Sequence, residues 1–322
     1  MNATGGSSDQ ASGRTLIAVV LYRTVPQESE TVRGVVSALR SSADLRAAYE
    51  LLLWDNTPEA LAAPPRLDVP CQYQHATTNN GVAGAFNGAM DVCINNGYQW
   101  MLMLDQDTEV TSEYLMGMLH HRDTIGADSR IAAIAPLLFH GDFQLSPQQV
   151  LRFRHAPVTP KPARILGGEA FAANSGVLIR VAALSAIGGY SVDFWLDHSD
   201  MYVFHQLHLQ GKAIYLATDL HLQHSMTMLD YDGQMTPERY DNFLHAEQAF
   251  LDLYKSFSEN AVQILRLALR VVHQRAYRNR IYSQMTLKFL LRRLASSKAK
   301  RLAVWKRRAI ERRIAASARA GD

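Results

Sequence analysis

The sequence predicts an α/β fold, a mainly parallel central sheet with flanking helices, followed by a helical extension. Three observations predict it. Short apolar, β-branched runs recur along the first 220 or so residues, with helical patterns between them. The informative polar residues fall at the ends of those runs, where an open parallel sheet binds its ligands. From about Thr236 onward the runs stop and the pattern is helical throughout.

Taken in order, residues 1–14 are rich in Gly and Ser and predict a disordered N-terminus. Leu16 to Leu21 (LIAVVL) reads as a buried parallel strand, and Gln27 to Arg40 has helical character. Tyr49 to Trp54 (YELLLW) is a second strand, which ends in Asp55-Asn56-Thr57-Pro58; the Pro-rich stretch Ala63 to Pro70 connects it to a short third strand, Cys71 to His75. After Asn79-Asn80-Gly81 a helix runs from Val82 to Asn95, and Trp100 to Leu104 (WMLML) is a buried strand ending in Asp105-Gln106-Asp107. Tyr114 to Arg122 is helical, and Ile131 to Phe139 contains a strand. Leu145 to Gly168 is irregular and basic, which predicts a loop shaping a cleft. Strand-like Val177 to Arg180 follows, then a helix over Val181 to Ile187, an Asp- and His-rich segment within Phe194 to Gln210, and a strand from Ala213 to Ala217 leading toward His221 and His224. The division expected from this is residues 15–235 as the α/β domain and residues 236–322 as a helical, basic extension.

The composition, with 48% hydrophobic and 20% charged residues over 322, excludes global disorder, collagen and coiled coil. Two cysteines, Cys71 and Cys93, are too few for a disulfide framework and fit a reducing compartment. No secretory leader and no stretch of about 18 apolar residues is visible, so a cytoplasmic location is expected. The net charge of +3 conceals a segregation: residues 1–265 hold 16 Lys and Arg against 28 Asp and Glu, whereas residues 266–322 hold 17 against 2. Leucines and valines interleave with that basic charge, which describes amphipathic helices for an anionic membrane surface on the inner face of the cell membrane. Packing within the chain or in a homo-oligomer is the next reading, and nucleic acid the weakest.

Two carboxylates at i and i+2, Asp105 and Asp107, end a strand where they can act together on a hard divalent cation, Mg²⁺ or Mn²⁺, with a diphosphate completing its shell. Taken alone the pattern is also ordinary turn chemistry. Asp55 and Asn56 can hydrogen-bond a base or ribose, or simply cap a turn. The small residues after Asn79-Asn80-Gly81 let a ligand approach a helix N-terminus or let the helix pack tightly on the sheet; the motif is neither a P-loop nor a dinucleotide fingerprint. Asp197-His198-Ser199-Asp200 offers two carboxylates and an imidazole beside Phe194 and Trp195, suited to deprotonating a hydroxyl, and equally to helix capping. His224 could lend an imidazole to the cation.

In order, LIAVVLYR, LLLWDNTP, NNGVAGAFNGA, MLMLDQDTEV, NSGVLIR, IGGYSVDFWLDHSD and LHLQHS resemble glycosyltransferase family 2, and more closely its bacterial rhamnosyltransferase branch, over roughly residues 15–226. The resemblance implies a GT-A fold and inverting transfer of a sugar from a nucleoside diphosphate sugar, L-rhamnose from dTDP-rhamnose in this branch. The receiver would be a hydroxyl of a lipid-linked or glycan acceptor in cell-surface polysaccharide or glycolipid synthesis. It places Tyr22, Asp55, Asn56, Asn79, Gly81, Asn87, Asp105 and Gln106 around the nucleotide sugar, and Asp107, Asp105 and His224 at the metal. The base falls in Asp197 to Asp200, with Asp197 preferred, then Asp200, and His198 orienting the acceptor or substituting as base. Tyr202 and Gln206 stand where the branch carries Glu and Arg. Other donors (UDP-galactofuranose, a UDP-hexose, GDP-mannose) and a non-catalytic nucleotide-sugar- or nucleic-acid-binding scaffold stay open.

Overall fold

The computed structural model describes residues 14–59, 66–158, 162–224, 231, 233 and 235–318. The predicted disordered N-terminus, apart from Arg14, and the first three residues of the Pro-rich connection lie outside the described residues. Strand β1 (Thr15–Leu21) is buried along its whole length, and its residues divide between the two faces of the sheet by the period of two that a strand imposes. Leu16, Ala18 and Val20 join one core, with α3 (Gly81–Asn96) packed over it. Ile17, Val19 and Leu21 join the other, beneath α1 (Glu30–Ser41) and α4 (Ser112–Ile125). Burial on both faces is why the strands read as unbroken apolar runs.

Between α1 and β2 (Tyr49–Asp55) lies a short helix, α2 (Ala43–Ala48). β3 (Cys71–His75), β4 (Trp100–Asp105) and β5 (Ile131–His140) follow the expected rhythm, and β1 is parallel to both β2 and β4. With β9 at Arg164–Ile165, β11 at Val177–Arg180 and β12 at Ala213–Gln223, the central sheet has the order β3-β2-β1-β4-β11-β5-β12-β9, with β6 (Phe143–Ser146) beside β5. The short β9 closes it by pairing antiparallel with β12. The sheet is mainly parallel, as expected, but β11 enters antiparallel between β4 and β5. β12 continues past Ala217 through a register shift to reach Gln223.

The stretch expected to be an irregular loop instead forms a hairpin, β7 (Gln148–Leu151) with β8 (Arg154–Pro157), extended by β10 (Ala170–Phe171) into a separate antiparallel sheet. After β11 come α5 (Val181–Ala186) and α6 (Ser199–Leu209). The helices after Thr236 are α7 (Pro237–Tyr254), α8 (Phe257–His273), α9 (Ile281–Leu294) and α10 (Lys298–Ala318). Thr236 caps α7 with Pro237 at its first position, and Ser256 with Glu259 forms a capping box at α8.

These helices close over the sheet side of the molecule. Trp305 of α10 and Phe250 of α7 pack with Phe194, and Tyr202 stacks on Phe194 with centroids 6.0 Å apart. Tyr202 therefore occupies an aromatic cluster where the resemblance led to a carboxylate. Arg312 lies 4.8 Å from the Trp195 ring and donates to the carbonyl of Val192 at 2.6 Å. Much of the basic charge is answered within the chain: Arg270 pairs with Glu247, Arg301 with Asp252 and Arg308 with Asp241. On the outer sides of α8 and α9, however, Leu265, Leu269 and Val272, and Leu287, Leu291 and Leu294, stand exposed with identical spacing.

Candidate active site

The strand register brings the first group of predicted residues together. Asp55 lies opposite Leu21 and Asp105 opposite Val20, so the two carboxylates flank the end of β1 at about 10 Å from each other, two strand spacings. Asp55 accepts from the Tyr73 hydroxyl at 2.7 Å and from the Thr57 N–H at 2.8 Å. Asn56 donates to the Gly81 carbonyl at 3.1 Å, while its own Oδ1 is buried with no partner among the described residues. A buried acceptor without a donor is costly and marks where a ligand N–H or hydroxyl would be welcome. Tyr22, 40% exposed, donates its backbone N–H to Gln106 Oε1 at 2.8 Å, which ties the end of β1 to the turn after β4.

That turn is pinned by neutral groups. Thr31 Oγ1 donates to the Asp105 carbonyl at 2.6 Å and accepts from the Thr108 N–H at 2.8 Å; Ser29 Oγ donates to the Gln106 carbonyl at 2.7 Å. The Asp105 N–H donates to Ser175 Oγ at 3.0 Å, and Thr108 and Ser175 hydroxyls meet at 2.6 Å. The backbone is thus held without spending either carboxylate. Burial raises the Asp105 carboxyl; His224 lowers it and Asp107 raises it further. Asp107 is likewise raised by burial and lowered by His224. His224 Nδ1 stands 3.0 Å from Thr108 Oγ1 and 3.5 Å from Asp107 Oδ1.

Among the described residues no group of three His, Cys, Asp or Glu side chains is assembled to hold a metal, so the expected set of Asp105, Asp107 and His224 is not a ready-made cage. The pair of carboxylates still suits Mg²⁺ or Mn²⁺. Such ions are commonly bound by one or two carboxylates with phosphate oxygens and water completing the shell, and a cation would offset both the burial that chiefly raises Asp105 and the repulsion from Asp107 that adds to it. Asp105 and Asp107 would hold it, with His224 beside Asp107.

At the start of α3, Asn79 Oδ1 accepts from the Gly81 N–H at 2.9 Å, and the Ala83 N–H donates to the Trp195 carbonyl at 3.0 Å. Gly81 has φ +67°, and a Cβ there would lie 2.3 Å from the Trp195 oxygen, so glycine is required twice over. This helix N-terminus is closed by protein rather than open to an anion. Asn87 commits both ends of its amide to the Tyr190 backbone, accepting at 2.7 Å and donating at 2.9 Å. Its place is one of positioning, along with Gly189, whose absent Cβ leaves room for the Asn87 oxygen.

The second carboxylate pair is divided. Asp197 is 5% exposed and fully answered: Arg239 approaches Oδ1 at 3.1 and 3.2 Å, and Asn242 donates to Oδ2 at 2.5 Å. Asp200 accepts the Met201 N–H at 2.7 Å and has no cationic partner among the described residues. Burial pushes its carboxyl up to about 6, with Asp105 and Asp197 adding to the shift. A carboxyl titrating near working pH is suited to general-base work. His198, in left-handed conformation at φ 63°, packs its ring against Phe243 and Phe250, and burial lowers it. Behind Asp200, Tyr190 donates to Asn174 at 2.7 Å, and Asn174 donates to Ser199 at 3.3 Å.

Several residues that set this geometry carried no signal in the sequence. Arg239 and Asn242 lie 42 and 45 residues from Asp197, and only the fold shows that they meet it. Ser29, Thr31, Thr108 and Ser175 are common hydroxyls whose value is purely positional.

No protein-family profile matches the chain and no curated protein matches it in sequence. In three dimensions it is similar to GalNAc-T7, in a structure with UDP, GalNAc and Mn²⁺, at 12% identity with a TM-score of 0.51 over 75% of this chain. The chain spans about half of that protein, 48%. Residues 1–349 of S. aureus TarS, in complex with UDP-GlcNAc, are similar at 12% identity and a TM-score of 0.48, over 82% of this chain and 74% of that fragment. The fold is that of GT-A-type structures.

Proposed function

We propose that the chain is a metal-dependent glycosyltransferase that moves a sugar from a nucleoside diphosphate sugar to an acceptor hydroxyl with inversion at the anomeric carbon. The observation that carries this reading is the division of labour between two carboxylate pairs around one cleft. Asp105 and Asp107 form no ion pair with a lysine or arginine among the described residues, His224 and then Arg239 being the cations that lower Asp105, while Asp200 keeps a raised carboxyl and Asp197 is locked by Arg239 and Asn242. Asp55 and the unpartnered Asn56 oxygen suit the base and ribose of the donor.

In this reading Asp200, ionised, takes the proton of the acceptor hydroxyl. The freed oxygen pair forms the new bond to the anomeric carbon from the side opposite the diphosphate, the old carbon–oxygen bond breaks, and its electron pair leaves on the diphosphate. A divalent cation, when bound, offsets the charge on that leaving group. Asp197 holds the segment in place through Arg239, and Asn87 with Tyr190 fixes the loop before it. The donor of choice is dTDP-rhamnose, on the strength of the motif order. The Tyr202 cluster supports a compensated departure from that branch, since the aromatic ring fills a packed site instead of leaving a lost ion pair.

The deciding experiment is thermal shift and transfer with a sugar-nucleotide panel, in Mg²⁺, Mn²⁺ or EDTA, on the native chain and Asp107→Ala. Stabilisation by one donor that needs both the metal and Asp107 supports the assignment and identifies the sugar. Turnover unchanged in Asp107→Ala refutes the metal assignment.

The acceptor fits a membrane setting. Among the described residues no helix is long and apolar enough to cross a bilayer. The exposed stripes Leu265, Leu269, Val272 and Leu287, Leu291, Leu294 instead suit shallow burial in an interface. Arg275, Arg278, Arg280, Lys288 and Arg292 around them are exposed and without an acidic partner among the described residues. Co-sedimentation with vesicles containing anionic lipid, lost with Leu269→Glu combined with Leu291→Glu, checks this. Equal binding to neutral vesicles would contradict the electrostatic part.

A further inference from the structure

A second concave site lies on the other side of the Asp197 to Asp200 segment. The β7–β8 hairpin leans over α7 and α8 and leaves a cavity of about 60 Å³, room for a group of about four or five heavy atoms. His198 and Met201 form part of its wall, so it begins one residue away from the proposed base.

The charges lining it are unbalanced. Its two carboxylates are already used: Glu247 forms a two-bonded pair with Arg270 at 2.9 and 3.0 Å, and Glu259 caps α8 through Ser256. Lys255 is held by Glu169 at 2.9 and 3.0 Å. Arg152, Arg154 and Arg266 are left, three guanidinium groups with no ion pair among the described residues, all lining the same cavity. The positive surroundings register on a neighbour. His155 is pushed down to about 4, chiefly by the protein packed around it, and further by Arg266, His198 and Lys255. Guanidinium forks are the side chains best matched to phosphate oxygens, and phosphate brings the charge this cavity lacks.

We propose that this cavity is an acceptor subsite that binds a phosphate group carried by the acceptor, using Arg152, Arg154 and Arg266. The inference rests on the glycosyl-transfer reading for the word acceptor, and on the cavity alone for the phosphate. Phosphate anchored there presents the rest of the acceptor along His198 toward Asp200. The apolar lining, with Phe153, Leu151 and Val262, accommodates an amphiphile beside the charge.

The test is equilibrium binding of dodecyl phosphate, inorganic phosphate and the neutral dodecyl maltoside to the full chain, to Arg154→Ser/Arg266→Ser, to Arg152→Ser/Arg154→Ser and to Asp107→Ala. Circular dichroism confirms that each is folded. Dodecyl phosphate should bind saturably, at least tenfold more weakly to both arginine variants, and unchanged to Asp107→Ala. Inorganic phosphate of equal affinity supports the site with free phosphate as its source; much tighter dodecyl phosphate supports it with an amphiphile. Equal binding by the arginine variants, dodecyl maltoside as good as the phosphate, or loss in Asp107→Ala alone overturns it. Sugar-nucleotide binding is read separately, so failure here leaves the transfer reading standing, and failure there leaves this phosphate site intact.

Discussion

The two carboxylate pairs of the cleft contain the same residue type and are built in opposite ways. The Asp105–Asp107 turn is anchored by hydroxyls and backbone, through Ser29, Thr31, Thr108 and Ser175, so that its negative charge stays available. The Asp197–Asp200 segment is anchored by charge itself: Asp197 is consumed by Arg239 and Asn242. Asp200, three residues on, is left alone and driven up to about 6, chiefly by burial. A carboxylate held in place by an ion pair is a structural part, whereas one held by its backbone can do chemistry.

That contrast can be broken by substitution, and the largest effect falls on the first pair. Asp107→Ala should lower transfer by about 10³-fold or more and abolish cation dependence, with the melting temperature little changed. Asp200→Asn comes next, with kcat down by 10²- to 10⁴-fold on the order of a lost general base while sugar-nucleotide binding is retained. In the native chain, kcat should climb as pH rises through about 6, since the base works ionised. A flat profile between pH 5 and 8 would remove Asp200 from that role.

Asp197→Ala should show the reverse balance. It strips a partly buried Arg239 of its partner and costs about 2 kcal/mol in urea unfolding, less than a fully buried pair because Arg239 is 31% exposed, while the folded fraction keeps measurable transfer. Stability distinguishes the two a second time. A raised carboxyl in the folded state means that ionising it opposes folding, so stability falls as pH climbs from the unfolded value near 4 through about 6. Asp200→Asn should therefore raise the melting temperature at pH 8 by a few degrees, where Asp197→Ala lowers it.

The smallest effect tests a third carboxylate of the anchored kind. Despite its burial, Glu169 is held at about 2 by hydrogen bonds from His205 and Lys255. Its folded value lies below the unfolded one, so its contribution is complete above about pH 4.5 and drains away as pH falls toward 2. Glu169→Gln should cost on the order of 1 kcal/mol at pH 7 and only a small part of that at pH 2, read by denaturant titration.

The sheet was legible in the sequence where burial is two-sided. β1, β2 and β4 show as apolar runs because neither face meets water, and their ends are polar because the chain there turns into a cleft. Strand direction is not written in such runs, so β11 gave no sign that it runs antiparallel between β4 and β5. The β7–β8 hairpin was hidden for another reason: its strands are four residues each and mostly polar, with Arg152 in the turn and Arg154 opening β8 at the cavity, so neither shows an apolar alternation. The site shows the same limit. Asp105, Asp107 and Asp55 could be found from position after a strand, yet Asp197 and Asp200 share a neighbourhood and a chemistry. Sequence alone cannot rank them; the pairing of Asp197 with Arg239 and Asn242 is what supports Asp200 as the base in the proposed function.

The clamp of α10 on the loop before Asp197 also sets a clock. Arg312 reaches the Val192 carbonyl across 120 residues of chain, and the Trp195 carbonyl beside it receives the first turn of α3. At a synthesis rate of about 5 to 20 residues per second, roughly 6 to 24 seconds separate the making of that loop from the making of its clamp. For the first part of that interval Asp197 also lacks Arg239 and Asn242, made 42 and 45 residues after it, and for the rest the loop is held by them without its α10 clamp. On the proposed reading, the last fastening of the segment that holds Asp200 would then arrive late in the birth of each molecule.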